Sequence, residues 1–234
     1  MKFTGLVIAK MNSERVKNKV IRQLRGRHLI NYALRTLYES GLDELVLFCS
    51  DPAIQNYVES DIDYTFVQRP EWLDTQKITE KELFDTFIEM CEPEYIVAHW
   101  CTSPFIRSDT IKELVTAMRT GRHDSANVRV EIPFQHIFCK DEPVNFTFGT
   151  GERSQDAEPV HGEVWTRAFH ADLHRVHRRR IGFNPYWVTV PLIEAWDIDT
   201  EEEWQIAEFI GRLKKRKPPK SFSRKELSKF EPSL

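Results

Sequence analysis

The chain has 234 residues, with 33 Lys and Arg against 36 Asp and Glu, a net charge of −3, 41% hydrophobic and 29% charged residues. A chain of this length buries about 70–75% of the surface its unfolded form would expose, which excludes a disulfide-dependent miniprotein, a collagen or a disordered segment. No run reaches the roughly 20 apolar residues that a membrane span requires, and the slightly acidic balance without an RNA-binding aromatic signature argues against nucleic acid as a partner.

Met1-Lys2-Phe3-Thr4 runs straight into the strand-like GLVIA at 5–9 rather than into a signal peptide, so a cytoplasmic location is expected. A polar, basic segment from Lys10 to Arg27 has no amphipathic period and reads as a long loop. Leu29, Ile30, Ala33, Leu34 and Leu37 then recur at helical spacing, and Ser40-Gly41 ends that helix before the apolar run LVLFC at 45–49. The alternation continues with a helix near 52–60, a strand at 64–67, a helix through 79–91, a strand at 95–99 and a helix at 109–119. Continuous apolar strands separated by helices predict an α/β, Rossmann-like, mostly parallel sheet covered on both faces.

From about Ser125 the pattern turns β-rich without intervening helices, and residues 130–180 are expected to form a small inserted or edge lobe. A strand at 187–190 precedes a helix whose Trp204, Ala207, Ile210 and Leu213 share one face. Residues 1–212 thus read as one domain and 213–234 as a basic tail. Cys49, Cys91, Cys101 and Cys139 form no CxxC pair and are expected to be buried, reduced thiols. His170, His174 and His177 share a helix face, but the neighbouring arginines repel a cation there.

Two segments carry chemistry. In an open parallel sheet, ligands bind beyond the carboxyl ends of the strands, where KMNSERVKNKVIR (10–22) brings Lys10, Arg15, Lys17, Lys19 and Arg22 together with Asn12 and Ser13. Guanidinium forks and ammonium groups suit a polyphosphate. Neither GxGxxG nor GxxxxGK[ST] is present, which argues against a nicotinamide-binding domain and a P-loop. Far along the chain, Asp197 and Asp199 stand two apart after a strand, so in extended backbone both project to the same side, and Thr200 with Glu203 forms a capping box that starts the next helix behind them. Two carboxylates suit Mg²⁺ or Mn²⁺ bridging to phosphate oxygens.

The string VIAKMNSERVKNKVIRQLRGRHLI resembles the opening signature of the CMP-sugar synthetases, the acylneuraminate cytidylyltransferase family. Lys10 falls at the family's Arg, Ser13 at its Ser and Lys19 at its phosphate-binding Lys; Arg15 matches an Arg of the related 3-deoxy-octulosonate enzymes. Further stretches are similar in the same order: SGLDELVLFCSD (40–51), QRP (68–70), CTSPFI (101–106), HDSANVRVE (123–131) and AWDIDTEEEWQIAE (195–208). The resemblance implies transfer of CMP from CTP to a sugar acid with release of pyrophosphate. It also implies nucleotide binding by Lys10, Asn12, Ser13, Arg15, Lys19, Arg69, Trp100 and Ser103, and catalysis by Lys10, Arg15 and Lys19. Asp197 and Asp199 would hold the metal, Gln155, Arg179 and Arg180 the sugar acid, and a homodimer would form through residues 130–180. Glu14, Val20 and Trp100 depart from the pattern. They leave open a catalytically inactive homologue that binds nucleotide or a partner, and a nucleotidyltransferase for another sugar.

Overall fold

The structure is a computed structural model that describes residues 1–13, 15–75, 77–132 and 136–213. Glu14 and the basic tail from residue 214 onward therefore lie outside the described residues. Strand β1 (Phe3–Ala9) leads through a turn of 3-10 helix at Lys19–Ile21 into the short hairpin β2 (Gln23–Leu24) and β3 (Arg27–His28). Helix α1 (Leu29–Tyr38), β4 (Glu44–Cys49) and β5 (Thr65–Gln68) follow, then α2 (Glu80–Cys91), β6 (Tyr95–His99), α3 (Ser108–Arg119) and β7 (Ser125–Ile132). The chain continues through the two-residue strands β8 (Phe138–Cys139) and β9 (Glu142–Pro143), then β10 (Val160–His170), α4 (Ala171–His177), β11 (Pro185–Val190) and α5 (Glu201–Leu213).

Seven strands form one sheet in the order β11-β7-β10-β6-β1-β4-β5. The pairings of β1 with β4 and β6, of β4 with β5 and of β7 with β11 are parallel, whereas β10 is antiparallel to both of its neighbours. The predicted mostly parallel α/β sheet is the observed fold. Successive residues of β1 serve opposite faces, as the pleat requires. Phe3 and Val7 join the layer containing Ala33, Leu34, Ile111 and Leu114 of α1 and α3, while Leu6 joins Phe84, Phe87 and Leu173 of α2 and α4. On the first of these faces, α1 is followed so closely by the return to β4 that a Cβ on Gly5 would stand 2.8 Å from Leu42 Cδ1.

The lobe expected at 130–180 is not a separate unit. Residues 160–170 lie in the interior of the main sheet, paired on both sides, and α4 packs on α2. Local alternation reports a half-buried strand but not which neighbours it joins, and the direction reversal at β10 leaves no mark in composition. Among the described residues of the excursion between β7 and β10, 136–159 stand apart from the sheet; their hairpin β8–β9 is flanked by Phe146, which meets Phe138 edge-on, and Phe148, which meets it at a tilt. The helix expected near 52–60 is a 3-10 helix, Pro52–Tyr57, opened by the Asp51 side chain accepting from Ala53 N. Cys49 and Cys101 are buried thiols as expected, but Cys139 is exposed on β8.

Helix α5 closes the structure over the basic loop. Trp204, Ala207 and Ile210 pack with Val16, Leu24, Leu29, Phe105 and Ile198. Arg22 donates to both carboxylate oxygens of Glu201 at 2.8 Å and lies 4.2 Å over the Trp204 ring, which ties the loop to the helix start. The turn between β2 and β3 has φ of 56° at Arg25 and 84° at Gly26, the two left-handed positions of a tight hairpin.

Candidate active site

Beyond the carboxyl ends of β1 and β6, the basic loop and the segment before α5 face one another across a cleft of about 460 Å³. Lys10, Ser13, Arg15, Lys19, Asp197 and Asp199 all line it. Residues from opposite ends of the chain meet because β1 is central in the sheet while the chain from β11 crosses back over the same edge. Ile198 anchors that crossing: its side chain is fully buried and its backbone N–H donates to Thr102 O at 2.9 Å. With Ile198 turned inward, the flanking aspartates turn to the cleft. The capping box forms behind them, with Glu203 N donating to Thr200 Oγ1 at 3.2 Å and Thr200 N to Glu203 Oε2 at 2.8 Å.

Lys19 is 9% exposed, and its ammonium donates to Ile198 O at 2.8 Å and to Asp199 Oδ1 at 3.0 Å. Arg15 reaches the same oxygen at 3.1 Å. Asp197 Oδ1 accepts from Ser103 Oγ at 3.0 Å. Among the described residues the second oxygen of each aspartate takes no hydrogen bond, so two hard oxygen donors remain uncommitted on residues that line the cleft. No group of three His, Cys, Asp or Glu side chains gathers anywhere among those residues. This donor set fits Mg²⁺, which keeps several waters and takes the rest of its shell from substrate phosphates.

The sequence-derived residues divide clearly. Lys10 lines the cleft and its ammonium is held by Asp74 O. Arg69, 3% exposed, is ion-paired with Asp74 at 2.6 Å and forms part of the wall beyond β5. Trp100 lines the cleft and is stacked on Phe84 with centroids 6.4 Å apart. Ser103 is fully buried and touches Asp197 rather than the cleft itself. Asn12 is exposed and does not line the cleft. Arg22 is committed to Glu201, and Val20 belongs to the core.

The three residues assigned to the acceptor do not converge. Gln155 lies exposed in the excursion, away from the cleft lining. Arg179 is exposed; its guanidinium donates to Ile181 O and Gly182 O and sits 4.4 Å over Phe183. Arg180 is ion-paired with Glu80 and lies 4.9 Å over the Trp165 ring. A run of arginines carries no sequence signal for which member is consumed by a local turn. Trp165, Leu73, Ile78 and Leu83, which do line the cleft, carry no signal in the sequence because each reads as an ordinary apolar position. His174 is buried against Asp85, with Nε2 and Oδ1 3.0 Å apart, which gives that helical histidine a structural partner.

An open sheet with a basic and acidic cleft beyond its carboxyl edge defines a nucleotidyltransferase-type α/β protein. The cytidylyltransferase family model matches residues 4–149, and the chain belongs to that family. It is similar to the 2-C-methyl-D-erythritol 4-phosphate cytidylyltransferase of Thermotoga neapolitana, 24% identical over 182 residues that span 67% of this chain and 82% of the relative. Among solved structures, CMP:2-keto-3-deoxy-manno-octonic acid synthetase complexed with CTP superposes with a TM-score of 0.64 at 13% identity, covering 92% of this chain and 100% of that one. The 4-diphosphocytidyl-2C-methyl-D-erythritol synthase of Anaerococcus prevotii gives 0.65 at 15% identity, covering 90% and 98%. Among the described residues no helix is long and apolar enough to cross a membrane.

Proposed function

We propose that this cytidylyltransferase uses CTP and a sugar acid of the nonulosonate type, forming a CMP-sugar and pyrophosphate. The observation that carries the reading is the meeting of Lys19 with Asp199, 180 residues apart, in a cleft that Asp197 also lines. An acceptor hydroxyl attacks the α-phosphorus in line and pyrophosphate leaves. Such chemistry depends on positioning and on neutralising charge, so Lys10, Ser13, Arg15 and Lys19 hold the triphosphate, Lys19 nearest the reacting phosphate. Asp197 and Asp199 would hold Mg²⁺ or Mn²⁺. When bound, that ion supplies charge neutralisation at the phosphate oxygens. Asp199 holds Lys19 and Arg15 in place, and a bound triphosphate would offer both cations a further anionic partner.

We extend the reading to a homodimer joined through the β8–β9 excursion, where Phe138 and Phe148 are more than half exposed. Pyrophosphate release by purified protein with CTP, Mg²⁺ and a panel of sugar acids tests the activity, and ATP, GTP and UTP in place of CTP test the base. Release with CTP and a sugar acid is expected; release only with another nucleotide, or none at all, overturns the reading. A second acceptor class, a phosphorylated polyol, is favoured by the relationship to the Thermotoga neapolitana enzyme, and its substrate belongs in the same panel.

A further inference from the structure

The lining of the cleft is of two kinds. Arg69, paired to Asp74, and Thr75 are polar. Such paired donors and acceptors suit the hydrogen-bonding edge of a base. Leu73, Ile78, Leu83, Trp100 and Trp165 are apolar or aromatic. The aromatic part remains for the acceptor.

Trp165 is placed there by a bulge. In β10 the register with β7 jumps from Val164 opposite Val128 to Arg167 opposite Asn127, so Trp165 and Thr166 have no partner in β7. Bulges of this kind re-aim side chains beside functional sites. On the other side Thr166 stays opposite His99, so one step further along the antiparallel register Trp165 reaches the level of Trp100. Against the ring, Arg167 (1% exposed) lies with its guanidinium 5.1 Å from the Trp165 centroid and Arg180 with its own at 4.9 Å. Glu80 and Glu163 neutralise both: Arg167 is 3.4 Å from Glu80 and 3.0 Å from Glu163, and Arg180 is paired with Glu80. Two cations and two anions sum to no net charge, so no unpaired cation is offered to a phosphate dianion, and cation–π contact on Trp165 from both guanidiniums holds the ring in one orientation.

We infer that Trp165, held by the Arg167–Glu80–Glu163–Arg180 network, is a specificity-determining platform that stacks on the C–H face of an acceptor bearing no phosphate. A phosphomonoester dianion would have to compete with Glu80 and the more exposed Glu163 for these guanidiniums, whereas a sugar ring needs only the exposed indole face. This rests on the cytidylyltransferase reading above.

The test measures pyrophosphate release with CTP and Mg²⁺ for the wild type, Trp165→Ala and Trp165→Phe. Acceptors are N-acetylneuraminate, 3-deoxy-octulosonate and 2-C-methylerythritol 4-phosphate, and CTP affinity is measured by calorimetry. Turnover is expected with a non-phosphorylated acceptor. Trp165→Ala should raise the KM for that acceptor roughly tenfold or more while leaving kcat and the CTP Kd within about threefold, and Trp165→Phe should restore most of the loss. Preference for the phosphorylated acceptor, an unmoved acceptor KM, or a CTP Kd weakened in parallel overturns the inference alone. No turnover with either acceptor class overturns the reading beneath it and this inference together.

Discussion

Replacing Lys19 with Ala separates catalysis from stability less cleanly than a surface charge would, and the structure says by how much. The ammonium is nearly buried and satisfies the Ile198 carbonyl, so its loss orphans a buried acceptor at about 1–3 kcal/mol. The bond to Asp199, whose side chain is 37% exposed, adds less than a buried charged bond would, about 1 kcal/mol. The sum, about 2–4 kcal/mol, corresponds to a fall in Tm of about 5–15 °C for a domain of this size. Turnover should fall about 10²–10³-fold, the usual loss for one electrostatic donor at a phosphoryl or acyl centre. Thermal denaturation by circular dichroism gives the first quantity, and pyrophosphate release at 20 °C, well below the lowered midpoint, gives the second. Turnover within threefold of wild type would refute the placement of Lys19 at the reacting phosphate, and an unchanged Tm would refute its role in tying the basic loop to the segment before α5.

Asp197→Asn keeps the Ser103 contact and the packing, so Tm should move by less than about 2 °C while turnover drops about 100-fold or more at fixed Mg²⁺; a measured loss below threefold contradicts the carboxylate's role. His99 is fully buried beside Thr166 Oγ1 at 2.9 Å, and burial holds its pKa down to about 3. The unfolded chain binds a proton below pH 6.5 that the folded chain refuses, so stability is fully present above that pH and is lost as pH falls toward 3. The loss is about 2 kcal/mol at pH 5. His99→Gln should flatten this acid limb in urea titrations at pH 7 and pH 5; an equal slope in both proteins counts against a neutral buried imidazole. A Cβ at Gly182 would overlap the Asp124 carboxylate, which accepts from Phe183 N and Asn184 N. Gly182→Ala should therefore cost about 1–3 kcal/mol in denaturant unfolding with CTP affinity unchanged, and a neutral effect would show that the turn re-forms freely.

Much of the site was legible because its chemistry is local. Five cations in one loop after a strand, and two aspartates two residues apart ahead of a capping box, each specify a short-range geometry that the backbone period imposes wherever the segment ends up. The acceptor side was not legible. Whether Arg179 or Arg180 faces a ligand depends on a turn that consumes Arg179 through the carbonyls of Ile181 and Gly182, whose shape the residue types do not announce, and on a glutamate from α2, far away in sequence, that claims Arg180.

By itself the sequence determined the alternating α/β architecture, the basic loop, the acidic pair and, at the level of the cytidylyltransferases as a whole, the family, since periodicity, capping and motif spacing act over a few residues. Only the tertiary structure decided that β10 runs antiparallel inside the sheet, that its bulge lifts Trp165 into the cleft, and that Lys19 meets Asp199. Strand order and pairing are settled by which apolar faces bury one another across the whole chain, and that long-range competition leaves no local trace.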